Sequence, residues 1–250
     1  LIEKWLRAGV LEDGKRTRSE VGTVQGGSIS PLLANMYLHY VFDLWVQRWR
    51  RKQAHGDVVV VRYADDFVCM VQYQDDAQYI EQALRDRFAK FGLELHSEKT
   101  RTLRFGRYER ENAQRQQRQA NTFDFLGFAH FCGTSRKGKF IVGRQTSRKK
   151  FRQKCQEMND WLRRIRNHKK AKDWWPTLAA KLRGHYQYYG VSGDMRSLNR
   201  FYLKTVRLTR KWLNRRSQRK RFYWKGFIEY LKHYPLPRPR IAHNFYTLSP

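Results

Sequence analysis

Val58-Val59-Val60-Val61-Arg62-Tyr63-Ala64-Asp65-Asp66-Phe67-Val68 is the stretch on which the reading of this chain turns. Four consecutive β-branched residues, a short polar break and a second apolar run predict strands over Val58–Arg62 and Phe67–Val71 around a tight turn. Asp65 and Asp66 then lie side by side at the apex. Adjacent carboxylates repel unless a cation sits between them or one takes up a proton. Asp is also common in turns, where its side chain bonds nearby backbone, so the dipeptide alone fits a solvated apex as well as a cation site. One chemistry that uses such a pair is two-metal nucleotidyl transfer, in which Asp oxygens hold two Mg²⁺ ions about 3.5–4 Å apart.

Outward from this hairpin the pattern alternates. A short helix is expected at Ile2–Ala8, then a loop rich in Gly and charge. A long helix is expected from Pro31 to Arg51, apolar on nearly all faces as far as Val46, which implies burial. Ser30 is placed to cap it, with Pro31 at the first helical position. An amphipathic helix is expected over Asp76–Phe91, with Ala77, Ile80, Leu84, Phe88 and Phe91 on one face. Strands are expected near Thr100–Phe105, Phe123–Phe131 and Phe140–Val142. The stretch from Arg107 to Asn121 has almost no large apolar residue and reads as an exposed insertion or a solvated helix. After Thr146 the periodicity is helical throughout. The fold class is therefore α+β: an antiparallel sheet with packed helices over 1–144, with the polar insertion near 107–121, followed by an all-α basic domain over 145–250.

Charge divides the chain in the same sense. The 250 residues carry 52 Lys+Arg against 22 Asp+Glu, a net of +30. Residues 1–135 contribute +3 and residues 136–250 contribute +27. Such an excess argues against an enzyme of small neutral metabolites and for a polyanionic partner. Aromatic content of 15% argues for a folded chain rather than a basic tail. No apolar run reaches the roughly 18 residues that a membrane span needs, so no membrane partner is expected. Three scattered cysteines provide neither a disulfide framework nor a CxxC zinc site, and with no signal peptide at the start they suggest a reducing, intracellular setting. Within Leu198–Leu213, Leu198, Phe201, Leu208 and Trp212 fall on one helical face. Arg200, Lys204, Arg207, Lys211 and Arg215 form a cationic stripe on the other. With no intervening carboxylate, a phosphate backbone is the expected counterpart.

Four blocks then give the chain a resemblance. Tyr63-Ala64-Asp65-Asp66 looks like the YxDD box of reverse transcriptases. Gly22-Thr23-Val24-Gln25-Gly26-Gly27-Ser28-Ile29-Ser30-Pro31-Leu32-Leu33-Ala34-Asn35 is similar to their GTPQGGxxSPLLAN block, with Val24 where the family usually has Pro. Gly92-Leu93-Glu94-Leu95-His96-Ser97-Glu98-Lys99-Thr100 and Phe125-Leu126-Gly127-Phe128 resemble the two that follow. Order and spacing match, and the wording together with the basic helical extension is most similar to the reverse transcriptase/maturase proteins of group II introns.

The resemblance implies a partial polymerase palm followed by a helical thumb or maturase domain. Asp65 and Asp66 are the implied catalytic and Mg²⁺-binding residues, with two ions in the complete enzyme. It implies nucleotide binding by Gln25, Gly26, Tyr63 and Lys99, primer positioning by Phe125, Leu126 and Gly127, and nucleic-acid binding by the stripe. The implied partners are intron RNA, an RNA template with a DNA primer, and deoxynucleotide triphosphates. The implied location is the cytoplasm of a bacterial-type cell, with the nucleoid or a ribonucleoprotein. The family's further metal-binding Asp, in a segment like DxxxFFD, does not occur before residue 20. The chain, which begins with Leu1, is therefore expected to be the carboxy-terminal portion of a longer protein or the product of a split or degenerate gene, with a partner chain or an amino-terminal half supplying the rest, and not to extend a primer alone. Two rival readings are a non-catalytic RNA-binding splicing cofactor and a retron or defence-type reverse transcriptase. His243-Asn244 is too little for an HNH nuclease.

Overall fold

The computed structural model describes residues 10–12, 15–17, 29–135, 137–167, 170–216 and 222–245. The helix expected at Ile2–Ala8 lies outside them, as do residues 18–28 of the loop expected after it, while residues 10–12 and 15–17 of that loop form strands instead. The chain divides into two units, Leu1–Leu103 and Arg104–Pro250. The first holds 15 cationic and 14 anionic residues and the second 37 and 8, so the second carries nearly all the excess charge.

The first unit begins with a short antiparallel pair, β1 (Val10–Glu12) and β2 (Lys15–Thr17). A continuous helical rod follows: α1 (Ser30–Leu38), a π-helical turn (His39–Asp43) and α2 (Leu44–Lys52). Ile29, not Ser30, occupies the cap position, and Ser30 is already helical. The expected burial is corrected too. No residue of α1 is buried, and Leu32, Met36, Tyr37, Tyr40 and Leu44 are exposed. One side of the rod, from Val41 onward, faces the core through Val41, Phe42, Val46 and Trp49.

Strands β3 (Val58–Tyr63) and β4 (Asp66–Val71) pair from Val58↔Val71 to Tyr63↔Asp66. The two-residue period sends Val58, Val60, Phe67, Cys69 and Val71 toward the core. There they meet the rod and α3 (Gln74–Lys90), which contributes Ile80, Leu84 and Phe88. Phe91, expected on that face, is exposed. The opposite face of the hairpin presents Val59, Val61, Tyr63 and Met70 to solvent. Asp76, buried at the start of α3, accepts the backbone N–H groups of His55 and Gly56 and so fixes the loop that leads into β3. The strand expected at Thr100–Phe105 is not formed. A strand needs a ladder partner, and among the described residues the β3–β4 sheet holds only its own two strands.

In the second unit the 107–121 stretch is more than a solvated insertion. Its short helix α4 (Glu109–Arg115) buries Glu109 and Ala113. Arg118 donates to both Glu109 oxygens at 2.6 and 3.1 Å, and the Asn121 N–H donates at 2.8 Å. The strand expected over Phe123–Phe131 is two strands, β5 (Thr122–Phe125) and β6 (Phe128–Thr134). Leu126 and Gly127 break it with φ of 49° and 81°, the sign pattern of a type I′ hairpin turn, which Gly at the second position favours. Strand β7 (Phe140–Thr146) completes an antiparallel sheet in the order β5-β6-β7.

Four helices follow: α5 (Arg148–Ile165), α6 (Ala171–Tyr189), α7 (Met195–Asn214) and α8 (Trp224–His233). Ser147 caps α5 by accepting from the Lys150 N–H. Leu162, Leu178, Leu182, Leu198 and Phe227 are almost fully buried and, with Trp174, Tyr186 and Phe201, form one core. Asp194, buried just before α7, ties that helix to the sheet by accepting from the Thr146 N–H and hydroxyl.

Candidate active site and nucleic-acid interface

The hairpin apex is a two-residue loop. Ala64 has φ +54° and Asp65 does not lie in the left-handed region, the sign pattern of a type II′ turn. Asp65 occupies the second loop position and Asp66 begins β4 directly across from Tyr63. Both carboxylates are exposed, and neither has a hydrogen bond or ion pair with any described residue. Two neighbouring hard-oxygen donors with no competing cation fit Mg²⁺, which commonly takes one or two protein carboxylates and completes its shell with substrate phosphates and water. Among the described residues no group of three or more His, Cys, Asp or Glu side chains comes together as a metal cage. Tyr63 is exposed beside Asp66.

Beneath the apex lies a network that the motif reading did not single out. Arg62 donates through Nε to Asp43 Oδ1 at 2.8 Å and through Nη2 to Asp43 Oδ2 at 2.6 Å. Its Nη1 donates to Asn35 Oδ1 and to the carbonyl of Ala64, both at 2.8 Å. The hydrogen bond from Arg62 holds the Asp43 carboxyl below the usual carboxylate range, against partial burial, with His39 adding at 3.4 Å. The π-helical turn that carries Asp43 is held on another side by Arg87, which donates to the Val41 carbonyl and lies over the Trp45 and Phe91 rings. The signal in the sequence was Asp43 itself, a lone acid inside an apolar helix.

The remaining expected residues fall as follows. Gln25 and Gly26 lie outside the described residues. Lys99 is exposed in a turn after α3, where its N–H donates to the His96 carbonyl, and no hydrogen bond or ion pair joins it to Asp65 or Asp66. Phe125, Leu126 and Gly127 form the β5–β6 hairpin tip in the second unit. Tyr188 from α6 donates to the Leu126 carbonyl at 3.0 Å and stacks on Phe128, while the Ser147 N–H donates to the Gly127 carbonyl. The tip is thus fastened to the helices.

On α7 the division of faces is clear. Leu198, Phe201, Leu208 and Trp212 are buried, together with Tyr202, Thr205, Val206, Thr209 and Leu213. Arg200, Lys204, Arg207, Lys211 and Arg215 are all exposed, and among the described residues none pairs with a carboxylate. Arg200 lies over Phe151, and Lys211 and Arg215 over the Trp212 ring. Arg166, at the end of α5, joins them at 4.7 Å from the same ring. No helix among the described residues is long and apolar enough to cross a membrane.

A carboxylate pair at a hairpin apex, followed along the chain by a basic helical stretch, makes nucleic-acid polymerases the class to compare. The sequence profile of the reverse transcriptase (RNA-dependent DNA polymerase) family matches residues 1–130, and this protein belongs to that family. It is also similar to the group II intron-encoded protein LtrA of Lactococcus lactis subsp. cremoris, at 56% identity over 39 residues. The same identity and length are found for that protein in strain MG1363. The aligned stretch covers 16% of this chain and spans 6% of the length of LtrA.

Proposed function

We propose that this protein is an RNA-directed DNA polymerase of the group II intron type that also binds intron RNA and assists splicing and retrohoming. The observation that carries the reading is the pair Asp65 and Asp66, adjacent, exposed and without partners among the described residues at a braced hairpin apex. They would hold two Mg²⁺ ions, which when bound activate the attacking primer hydroxyl and stabilise the leaving pyrophosphate. The chain's own residues supply position. The hairpin ladder sets Asp66 opposite Tyr63, whose exposed ring is available to a deoxynucleotide. Lys99 is a cation free to approach a triphosphate. The Leu126–Gly127 tip, fastened by Tyr188, would hold the primer end. The α7 stripe would bind the phosphates of intron RNA or of the template-primer duplex, in the cytoplasm with the nucleoid or a ribonucleoprotein.

Mn²⁺ as a paramagnetic probe tests the carrying observation. Titrated into the 250-residue chain, it is expected to broaden the amide signals of Ala64 to Phe67 first. Asp65→Asn with Asp66→Asn should abolish that selectivity. Broadening that ignores the apex, or survives the double substitution, would remove the metal-binding reading.

A further inference from the structure

We propose that Arg62 is a positioning residue for the carboxylate apex, acting by gripping the turn's own backbone. The inference rests on the metal-binding reading for its purpose, but its geometry stands alone. A hairpin of two strands is marginal by itself, and its tip is the first part to fray. Ala64 is additionally held at φ +54°, where an L side chain is disfavoured by roughly 1–2 kcal/mol and persists only if its surroundings hold it. Asp65 is the next residue, so any relaxation of Ala64 moves its carboxylate relative to that of Asp66.

Arg62 opposes that relaxation from below. One guanidinium spans three points: both oxygens of Asp43 on the π-helical turn, the amide oxygen of Asn35 on α1, and the carbonyl of Ala64 in the turn. The Asp43 fork fixes the guanidinium plane, and that plane aims Nη1 at Asn35 and Ala64 together. A strand-to-helix ion pair would need only Asp43. The bond to Ala64 does nothing for that pair, and it lands on the residue before the first carboxylate. The side chains of Arg62 and Asp43 are 15% and 31% exposed, so solvent competes only partly. Lys could keep the charge near Asp43 but has no planar fork to reach all three points at once.

The test uses ¹⁵N relaxation and Mn²⁺ titration on the 250-residue chain, comparing wild type, Arg62→Lys and Arg62→Met. In the wild type the amides of Ala64, Asp65 and Asp66 are expected to show order parameters near ~0.85, and in both variants below ~0.6. The signals of core residues Phe42 and Leu84 should stay in place. Apex affinity for Mn²⁺ should fall about tenfold in each variant. Should Arg62→Met fail to fold, Arg62→Lys, which keeps a cation beside Asp43, decides the matter. An apex that stays equally ordered in Arg62→Lys overturns the proposal. An apex that loosens on substitution, in a protein whose apex signals Mn²⁺ never broadens, supports the grip and removes the metal-binding reading instead.

Discussion

Replacing Lys204 and Arg207 together by Ala probes the proposed nucleic-acid interface quantitatively. Both are exposed on α7, and neither makes an ion pair or ring contact with a described residue, so their loss should leave the helix packing intact. Each cation that neutralises a phosphate contributes about 0.7 to 0.9 to the slope of log K against log salt, for single and double strands respectively. If all five stripe cations engage, they contribute a slope of roughly −3.5 to −4.5, so a rise from 50 to 200 mM salt weakens their contribution about 130- to 500-fold. With two removed, the remaining slope of about −2.1 to −2.7 gives only about 20- to 40-fold. Fluorescence anisotropy of a labelled RNA hairpin at several KCl concentrations measures the difference. Circular dichroism confirms that the helices persist. A double variant whose slope lies within about 0.3 of wild type would refute the assignment of these side chains to phosphates.

Other expectations concern how the second unit holds together. A Cβ on Gly190 would collide with the carbonyl oxygens of Tyr186 and Arg240 and with the Ala242 nitrogen, all backbone atoms. It would also disturb the Gly190 carbonyl, which accepts from Ala242 and His243 at 2.7 and 2.8 Å. Gly190→Ala should therefore cost about 3 kcal/mol in urea unfolding, and a cost near zero would contradict the packing. Leu178 is fully buried, so Leu178→Ala should cost about 2–5 kcal/mol by the same measurement. His185 is buried against the Phe201 ring at 3.7 Å, and desolvation first, then Lys154, pushes its pKa down from 6.5 to about 4. Between those values the unfolded chain binds a proton that the folded chain refuses. Stability is therefore full above pH 6.5 and falls as pH drops toward 4, by up to ~3 kcal/mol from this group. His185→Phe should flatten that segment of the stability–pH curve, and an unchanged curve would contradict the burial argument.

Much of the fold was legible because its signals are local. The run Val58–Val61 and the break at Ala64–Asp65 specify a hairpin almost residue by residue, and the period of Leu198, Phe201, Leu208 and Trp212 specifies the buried face of α7. What was misread depends on partners distant in sequence. Apolar composition suggested that Leu32, Met36 and Tyr40 are buried, but burial requires a neighbour on that face, which composition does not reveal. Thr100–Phe105 has strand-like composition and no ladder partner among the described residues. Phe123–Phe131 was expected to be one strand, whereas two successive left-handed residues, Leu126 and Gly127, make a turn within it. The candidate site shows the same division. Asp65 and Asp66 stand out as a motif, while Asn35, Asp43 and Arg62, spread over 28 residues, become one network only when the helical rod lies beneath the hairpin.

RNA-templated DNA synthesis is the most direct test of the central claim that the Asp65–Asp66 apex is a polymerase site. The protein translated from the whole reading frame that encodes these residues would be assayed with Mg²⁺, an RNA template, a DNA primer and deoxynucleotides. Asp65→Asn and Asp66→Asn would be assayed beside it. The expected result is synthesis by the wild type, a loss of at least about a thousandfold in either variant, and an unchanged affinity for RNA. Synthesis that survives both substitutions, or a wild type that binds RNA tightly and never extends a primer, would contradict the claim.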